Sequence, residues 1–194
     1  MGRLSDQFDY LSLDDFEELL ADKPHDEKWE LIGGRLVKMM VGARWEHHFL
    51  ARNLAFGLHQ RLRARGTDCE VFSETFYMKN KTVESATLPD VMVRCGPRQT
   101  GATSFDNPVV LVEVVSPGSE GRDRWEKWVV YRKLSSLQHY VLIERDRAVI
   151  DVFDRTGDVW ASRRTLEGIE DVLDLPALDL SVPLAEIYEG VLPA

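Results

Sequence analysis

The run VVLVEVV, Val109–Val115, constrains this chain more than any other stretch. In a strand, successive side chains point to opposite faces, and here both faces are apolar: Val109, Leu111 and Val115 share one, Val110, Val112 and Val114 the other. Such a strand belongs in the middle of a sheet that is covered on both sides. One residue breaks the pattern. Glu113 lies on the face of Leu111 and Val115, where an unpaired charge costs on the order of several kcal/mol. Either a buried Arg or Lys neutralises it, or it holds something.

The surrounding sequence supplies the layers. Ser12 precedes LDDFEELL, so residues 13–21 read as a short capped helix with acids in its first turn. WELIGGRLVKM places two short runs around Gly33-Gly34, a hairpin signal. Residues 44–64 read as the longest helix: Leu50, Leu54, Leu58 and Leu62 recur every four residues, Trp45 and Phe49 extend the apolar side, and Gly66 ends it. Strand-like runs follow at 69–78, 88–95 and 109–115, then a helix at 120–135. Three more strands are expected at 139–144, 147–154 and 158–164, with turns at Arg145-Asp146 and Thr156-Gly157. The tail carries Pro176 and Pro183 and a small helix near Leu184–Tyr188. This order predicts an α/β fold, a mixed β-sheet core flanked by helices. With 194 residues it reads as a single domain, 1–194, whose acidic N-terminal helix 12–21 and C-terminal tail 167–194 are trimmings.

Charge is distributed unevenly about a net −9. Residues 1–27 hold nine acids and two bases, residues 28–66 eight Lys/Arg and two acids, and residues 167–194 seven acids and no base. The total argues against nucleic acid as a partner, but the basic middle leaves room for a local anion-binding surface, unless it is only a solvated helix face. No segment has the roughly 18 unbroken apolar residues of a membrane span. The N-terminal stretch lacks a signal peptide's apolar centre, and Cys69 and Cys95 show no metal-type spacing. A reduced, cytoplasmic protein with two ordinary packing thiols is expected.

Glu113 has company. LPDVMVRC puts Asp90, after Pro89, at the start of another apolar strand, although Pro-Asp is also common turn chemistry. If the two strands are neighbours, both carboxylates meet at one end of the sheet, where they repel unless a cation or proton lies between them. Magnesium or manganese, which prefer oxygen ligands, suit such a pair. In DRWEKWVVYRKL, Asp123, Lys127, Val130, Tyr131 and Leu134 fall on one helical face. Lys127 therefore points either toward the same pocket or, paired with Asp123, along the surface. Glu30 lies within the apolar WELIGGRLV run, as a site carboxylate or an edge-strand group facing water. His47 has the helical phase of Leu54 and points to the core side, as a hydrogen-bonded core residue or a site residue.

At these residues the chain resembles the Uma-two family of restriction-endonuclease-like proteins. LPDVMV, then LVEVVSPGSEGRDRWEKWVVYRKL, then HYVLIE carry the likeness, and WELIGGRLVKM and HHFLARNLAFGL add to it over roughly residues 8–190. The resemblance implies a PD-(D/E)XK nuclease core, with Asp90 and Glu113 binding the metal and Glu30 as an accessory acid. It departs from the superfamily pattern at Val115, where a lysine usually stands two residues after the glutamate; Lys127 is the substitute. A metal held by Asp90 and Glu113 would activate water and stabilise the phosphorane charge, Lys127 would orient or deprotonate the water, and Asp123 would fix Lys127.

The expectation is a magnesium- or manganese-dependent DNA endonuclease. The alternatives are an inactive nuclease-fold binding module and a metal-dependent hydrolase of a smaller phosphate ester. Arg44, Arg52, Arg61, Arg63 and Arg65 are candidate phosphate contacts. Trp125, Trp128, Val129 and Arg132 lie opposite Lys127 on the 120–135 helix. They form either a homodimer patch or a seat for the tail leucines Leu173, Leu175, Leu178 and Leu180.

Overall fold

The computed structural model describes residues 10–40, 42, 44–73, 76–115 and 125–192. Helix α1 (Leu13–Leu20) opens with a capping box in which Ser12 and Asp15 bond each other's backbone N–H, and it buries Leu13 and Phe16. Strands β1 (Glu27–Ile32) and β2 (Arg35–Met40) form the expected hairpin. Gly33 and Gly34 turn it with φ of +57° and +84°, as a two-residue turn of this hand requires. A Cβ on Gly34 would stand 2.3 Å from the Tyr10 ring.

Helix α2 (Trp45–Ala64) buries Leu50, Leu54, Leu58 and Leu62, but Trp45 and Phe49 do not extend that side as expected: their phase turns them away from it, and Trp45 is 52% exposed. After it come β3 (Cys69–Ser73), β4 (Tyr77–Asn80), β5 (Ser85–Thr87), β6 (Val91–Cys95), β7 (Ser104–Phe105) and β8 (Pro108–Val115). Helix α3 (Lys127–Tyr131), β9 (His139–Glu144), β10 (Val149–Thr156), β11 (Val159–Trp160) and β12 (Arg164–Glu167) follow. The chain closes with β13 (Val172–Leu175), β14 (Leu180–Pro183) and α4 (Leu184–Ile187).

The larger sheet runs β11-β10-β9-β8-β6-β3, with β12 also paired to β10. Its centre is β8, antiparallel to β6 and parallel to β9. One face of β8 gives Val110, Val112 and Val114 to a core shared with α2, β13, β14 and α4. The other gives Leu111 and Val115 to a core shared with α3 and Met78 of β4. The smaller sheet, β2-β1-β5-β4-β7, therefore stacks with α3 over the face on which Glu113 lies. The chain has the mixed α/β architecture expected, a mixed β-sheet core flanked by helices. No helix among the described residues is long and apolar enough to cross a membrane.

Several expectations are corrected. The 69–78 run divides between the two sheets, β3 in the larger and β4 in the smaller. The helix expected over 120–135 ends early, its residues 120–124 lying outside the described residues: beyond Tyr131 the N–H groups of Lys133 and Leu134 bond carbonyls three residues back. That tightening lets Leu134 and Leu137 turn into the core. Cys69 and Cys95 are not free thiols. The β3–β6 register sets them directly opposite one another, and they form a disulfide. Trp128 does not face outward. It lies within 4.4 Å of the Phe153 ring and 4.9 Å of Trp160, centroid to centroid, so the aromatic residues of β10 and β11 cover it. Trp125 and Val129 remain 67% and 47% exposed. The tail leucines do not cover them; Leu173, Leu175, Leu178 and Leu180 pack into the core beside α2 instead.

Candidate functional site

The central strand answers for Glu113 first. Its side chain faces Lys127, whose ammonium lies 2.8 Å from Glu113 Oε1 and 3.1 Å from Glu30 Oε1. None of the three side chains is more than 4% exposed. Lys127 is thus buried and does not lie along the surface, and Glu30 is no edge-strand group facing water, since β1 is flanked by β2 and β5. Asp123 lies outside the described residues.

Each member is held by a different element. The Leu88 N–H donates to Glu30 Oε1 at 2.7 Å. Tyr131, one helical turn after Lys127, brings its hydroxyl to 3.1 Å from Glu113 Oε1 and 2.8 Å from Thr87 Oγ1. A hydroxyl has one proton and a carboxylate only accepts, so Tyr131 donates to Glu113 and receives from Thr87. Burial raises the Tyr131 pKa well above the phenol range; Lys127 opposes this while Glu113 and Glu30 add to it. Burial also pushes Tyr77 up to about 12, with Glu30 adding to the effect. The cluster holds formally two carboxylates and one ammonium. Glu30 Oε2 is buried with no hydrogen-bond partner among the described residues, an arrangement that costs free energy unless water or a cation completes it.

Asp90 stands at the same end of the sheet. It precedes Val91, which pairs with Val112, and its Oδ2 accepts the Val114 N–H at 2.6 Å. His47, on the first turn of α2, places Nε2 2.9 Å from Asp90 Oδ1. This pair is less enclosed than the glutamates, with His47 21% and Asp90 13% exposed. β6 and β8 thus bring Asp90 and Glu113 to one region, β1 adds Glu30, α3 adds Lys127 and α2 adds His47. Val115, where a lysine was expected from the resemblance, is 2% exposed and belongs to the apolar core.

Two participants were missed. Tyr131 shares the helical face of Lys127, and that phase was its signal. Thr87 gave none, because its role depends on β5 pairing with β1 and β4.

The donor set consists of carboxylate oxygens on neighbouring strands, the chemistry a hard cation prefers. Among the described residues no three His, Cys, Asp or Glu side chains enclose a metal by themselves, so water or substrate oxygens would complete a shell, as magnesium commonly allows. The arginines of the basic segment are partly engaged elsewhere. Arg61 pairs with Glu186 at 2.9 Å and Arg65 with Asp179, both from the acidic tail. Arg44, Arg52 and Arg63 are exposed.

A profile of the Uma2 family, described as "Putative restriction endonuclease", matches residues 13–185. Two uncharacterised proteins of Synechocystis sp. are similar in sequence. One is 29% identical over 177 residues, 90% of each chain. The other is 30% identical over 145 residues, 73% of this chain and 80% of its own. In three dimensions the chain resembles a crystal structure from Anabaena variabilis described as a putative nuclease belonging to DUF820. The TM-score is 0.73, with 16% identity over 92% of this chain and 97% of that one; the likeness is one of fold.

Proposed function

The chain belongs to the Uma2 family, and from that premise we propose that it is a metal-dependent DNA endonuclease hydrolysing phosphodiester bonds. The observation that carries the proposal is Asp90, just before β6, bonded to the β8 backbone beside Glu113, with Lys127 packed between Glu113 and Glu30. In this reading Asp90 and Glu113 hold magnesium or manganese, which supplies an activated water and charge neutralisation at phosphorus. His47 fixes the Asp90 carboxylate through its hydrogen bond. Lys127 holds Glu113 and Glu30 in place and offers positive charge to the developing phosphorane oxygens. Tyr131, kept protonated by burial, donates to Glu113 and fixes its rotamer.

The test is nicking or linearisation of supercoiled plasmid in magnesium or manganese, lost with chelator and with Asp90→Asn. Calorimetry gives a separate readout. A metal that binds only the folded state at ten times its Kd adds about 1.4 kcal/mol, a rise of a few degrees in Tm that Asp90→Ala should abolish. No shift at millimolar metal overturns the metal site.

A second reading rests on one specific observation: Val115 is buried in the core and Lys127 is clamped between two glutamates. A module that binds DNA without cutting it would show affinity falling steeply with salt and no product under any metal. A hydrolase of small phosphate esters would show no such slope with duplex DNA.

A further inference from the structure

Helix α2 carries a second pattern, opposite its core face. Trp45, Phe49, Arg52, Phe56, His59 and Arg63 follow one another at intervals of four and three residues. At 100° per residue they fall within about 80° of arc, diametrically across from Leu54. Trp45 is 52% and Phe56 61% exposed. Trp45 stacks on Phe49 with centroids 4.1 Å apart, and the Arg52 guanidinium lies 3.8 Å over the other ring of that pair. Exposed rings of this size do not serve the core, which the leucines of the opposite face already fill.

The stripe borders a groove. Beside it lies β3, the last strand of the larger sheet. Between helix and strand are two adjoining cavities of about 350 and 510 Å³ that share His59 and Val71 in their walls. The first also touches Arg52, Phe56 and Ser73. The second is lined by Arg63 and Arg98, set against Asp68 and Glu70, with Arg98 bonded to Glu70. The wall of the first cavity, which includes Arg52, carries no acid, while Arg44 at the start of the helix lies within electrostatic reach of Asp146. That cavity lies toward the end of α2 nearer the candidate site, where His47, on the opposite, core-side face of the helix, is the partner of Asp90. From Trp45 to Arg63 the helix spans about 27 Å.

We propose that this face of α2 is a platform for single-stranded nucleic acid, with unpaired bases stacked on Trp45 and Phe56 and phosphates held by Arg44, Arg52 and Arg63. Flat rings alternating with cations along a groove match the two parts of a single strand, base faces and phosphates. A duplex hides its base faces and would leave the rings unused. The inference rests on the nuclease reading and deepens it: the preferred substrate has an unpaired segment entering the site along α2.

Anisotropy of labelled oligo(dT) and of a blunt duplex, with chelator present, separates binding from cleavage. The Trp45→Ala/Phe56→Ala protein should lose about thirtyfold or more in oligo(dT) affinity, with duplex affinity changed less than threefold. Arg52→Ala/Arg63→Ala should flatten the salt slope by nearly two phosphates. Both pairs are on the surface, and circular dichroism verifies the fold. Equal losses for duplex and single strand, or unchanged oligo(dT) affinity, overturn the proposal. So does a wild type that sediments as a dimer which Trp45→Ala/Phe56→Ala dissociates, because the face is then an interface between copies. If the protein binds oligo(dT) as expected but cuts no nucleic acid, the nuclease reading fails and the platform stands.

Discussion

Replacing Lys127 by Met keeps the aliphatic stem and removes the ammonium between Glu30 and Glu113. At an effective dielectric near 20, contacts of 2.8 and 3.1 Å each correspond to roughly 5–6 kcal/mol of gross attraction. Desolvation of the buried ammonium offsets several kcal/mol of that, and removing one partner of a buried pair typically costs about 3–5 kcal/mol. The loss is severe for a fold whose total stability is of order 5–15 kcal/mol. The cost comes from the two carboxylates left facing each other, so it should be largely regained in Lys127→Met/Glu30→Gln/Glu113→Gln, which removes every charge and keeps the volumes. Equilibrium urea unfolding at pH 7 measures both. A single variant within about 1 kcal/mol of wild type, or a triple variant no more stable than the single, refutes the account of this cluster as a mutually neutralising unit. A single variant too unstable to purify, beside a well-folded triple, agrees with it.

Reducing the Cys69–Cys95 disulfide, or replacing both residues by Ser, should cost about 3.5 kcal/mol from the loop it closes, whose ends are 26 residues apart. Denaturant unfolding with and without reductant measures this. His139 is buried, its Nδ1 at 2.7 Å from Asp154 Oδ1, and its Nε2 accepts the Ala177 N–H at 3.1 Å. Burial lowers its pKa; the Asp154 hydrogen bond and charge oppose this, and Arg164 adds to the lowering. As pH falls the unfolded chain takes the proton first, so this group's contribution is intact above about pH 6.5 and declines below it. A His139→Gln protein should show a flatter stability profile between pH 6.5 and 5; a profile parallel to wild type removes His139 as the cause. Trp125 and Val129 remain an exposed apolar pair, and if they seat a two-fold partner, Trp125→Glu should convert a sedimenting dimer to monomer. A monomeric wild type at tens of micromolar ends that idea.

The central strand, the first hairpin and the long helix were legible because each rests on a local rule: two apolar faces around Glu113, positive φ at paired glycines, leucines every fourth residue. The involvement of Glu113, Lys127 and Glu30 was legible as discord, charges in apolar phase. Their arrangement was not, because whether an ammonium meets a metal-binding pair or neutralises two carboxylates depends on which strands become neighbours. The same limit hid the disulfide. Cys69 and Cys95 become opposite only through the β3–β6 register. Trp128 was misplaced because helical phase gives a direction but not what stands there; β10 and β11 bring Phe153 and Trp160 to it. The β13–β14 hairpin went unread although Leu173, Leu175, Leu180 and Val182 alternate in it, since Pro176 and Pro183 interrupt so short a pattern.

The C-terminal hairpin also sets an order of events during synthesis. Among the described residues, 173–188 provide eight of the twenty-two buried side chains in the core between α2 and the larger sheet. The Tyr188 hydroxyl bonds backbone groups of Glu144 and Val149, fastening the hairpin and α4 to β9 and β10. Until that stretch leaves the ribosome, the leucine face of α2 and the valines of β6 and β8 have no complete cover, although every strand of the larger sheet has already emerged. A nascent chain paused before residue 173 exposes a sticky half-core, the kind of surface on which chaperones act and from which aggregation begins.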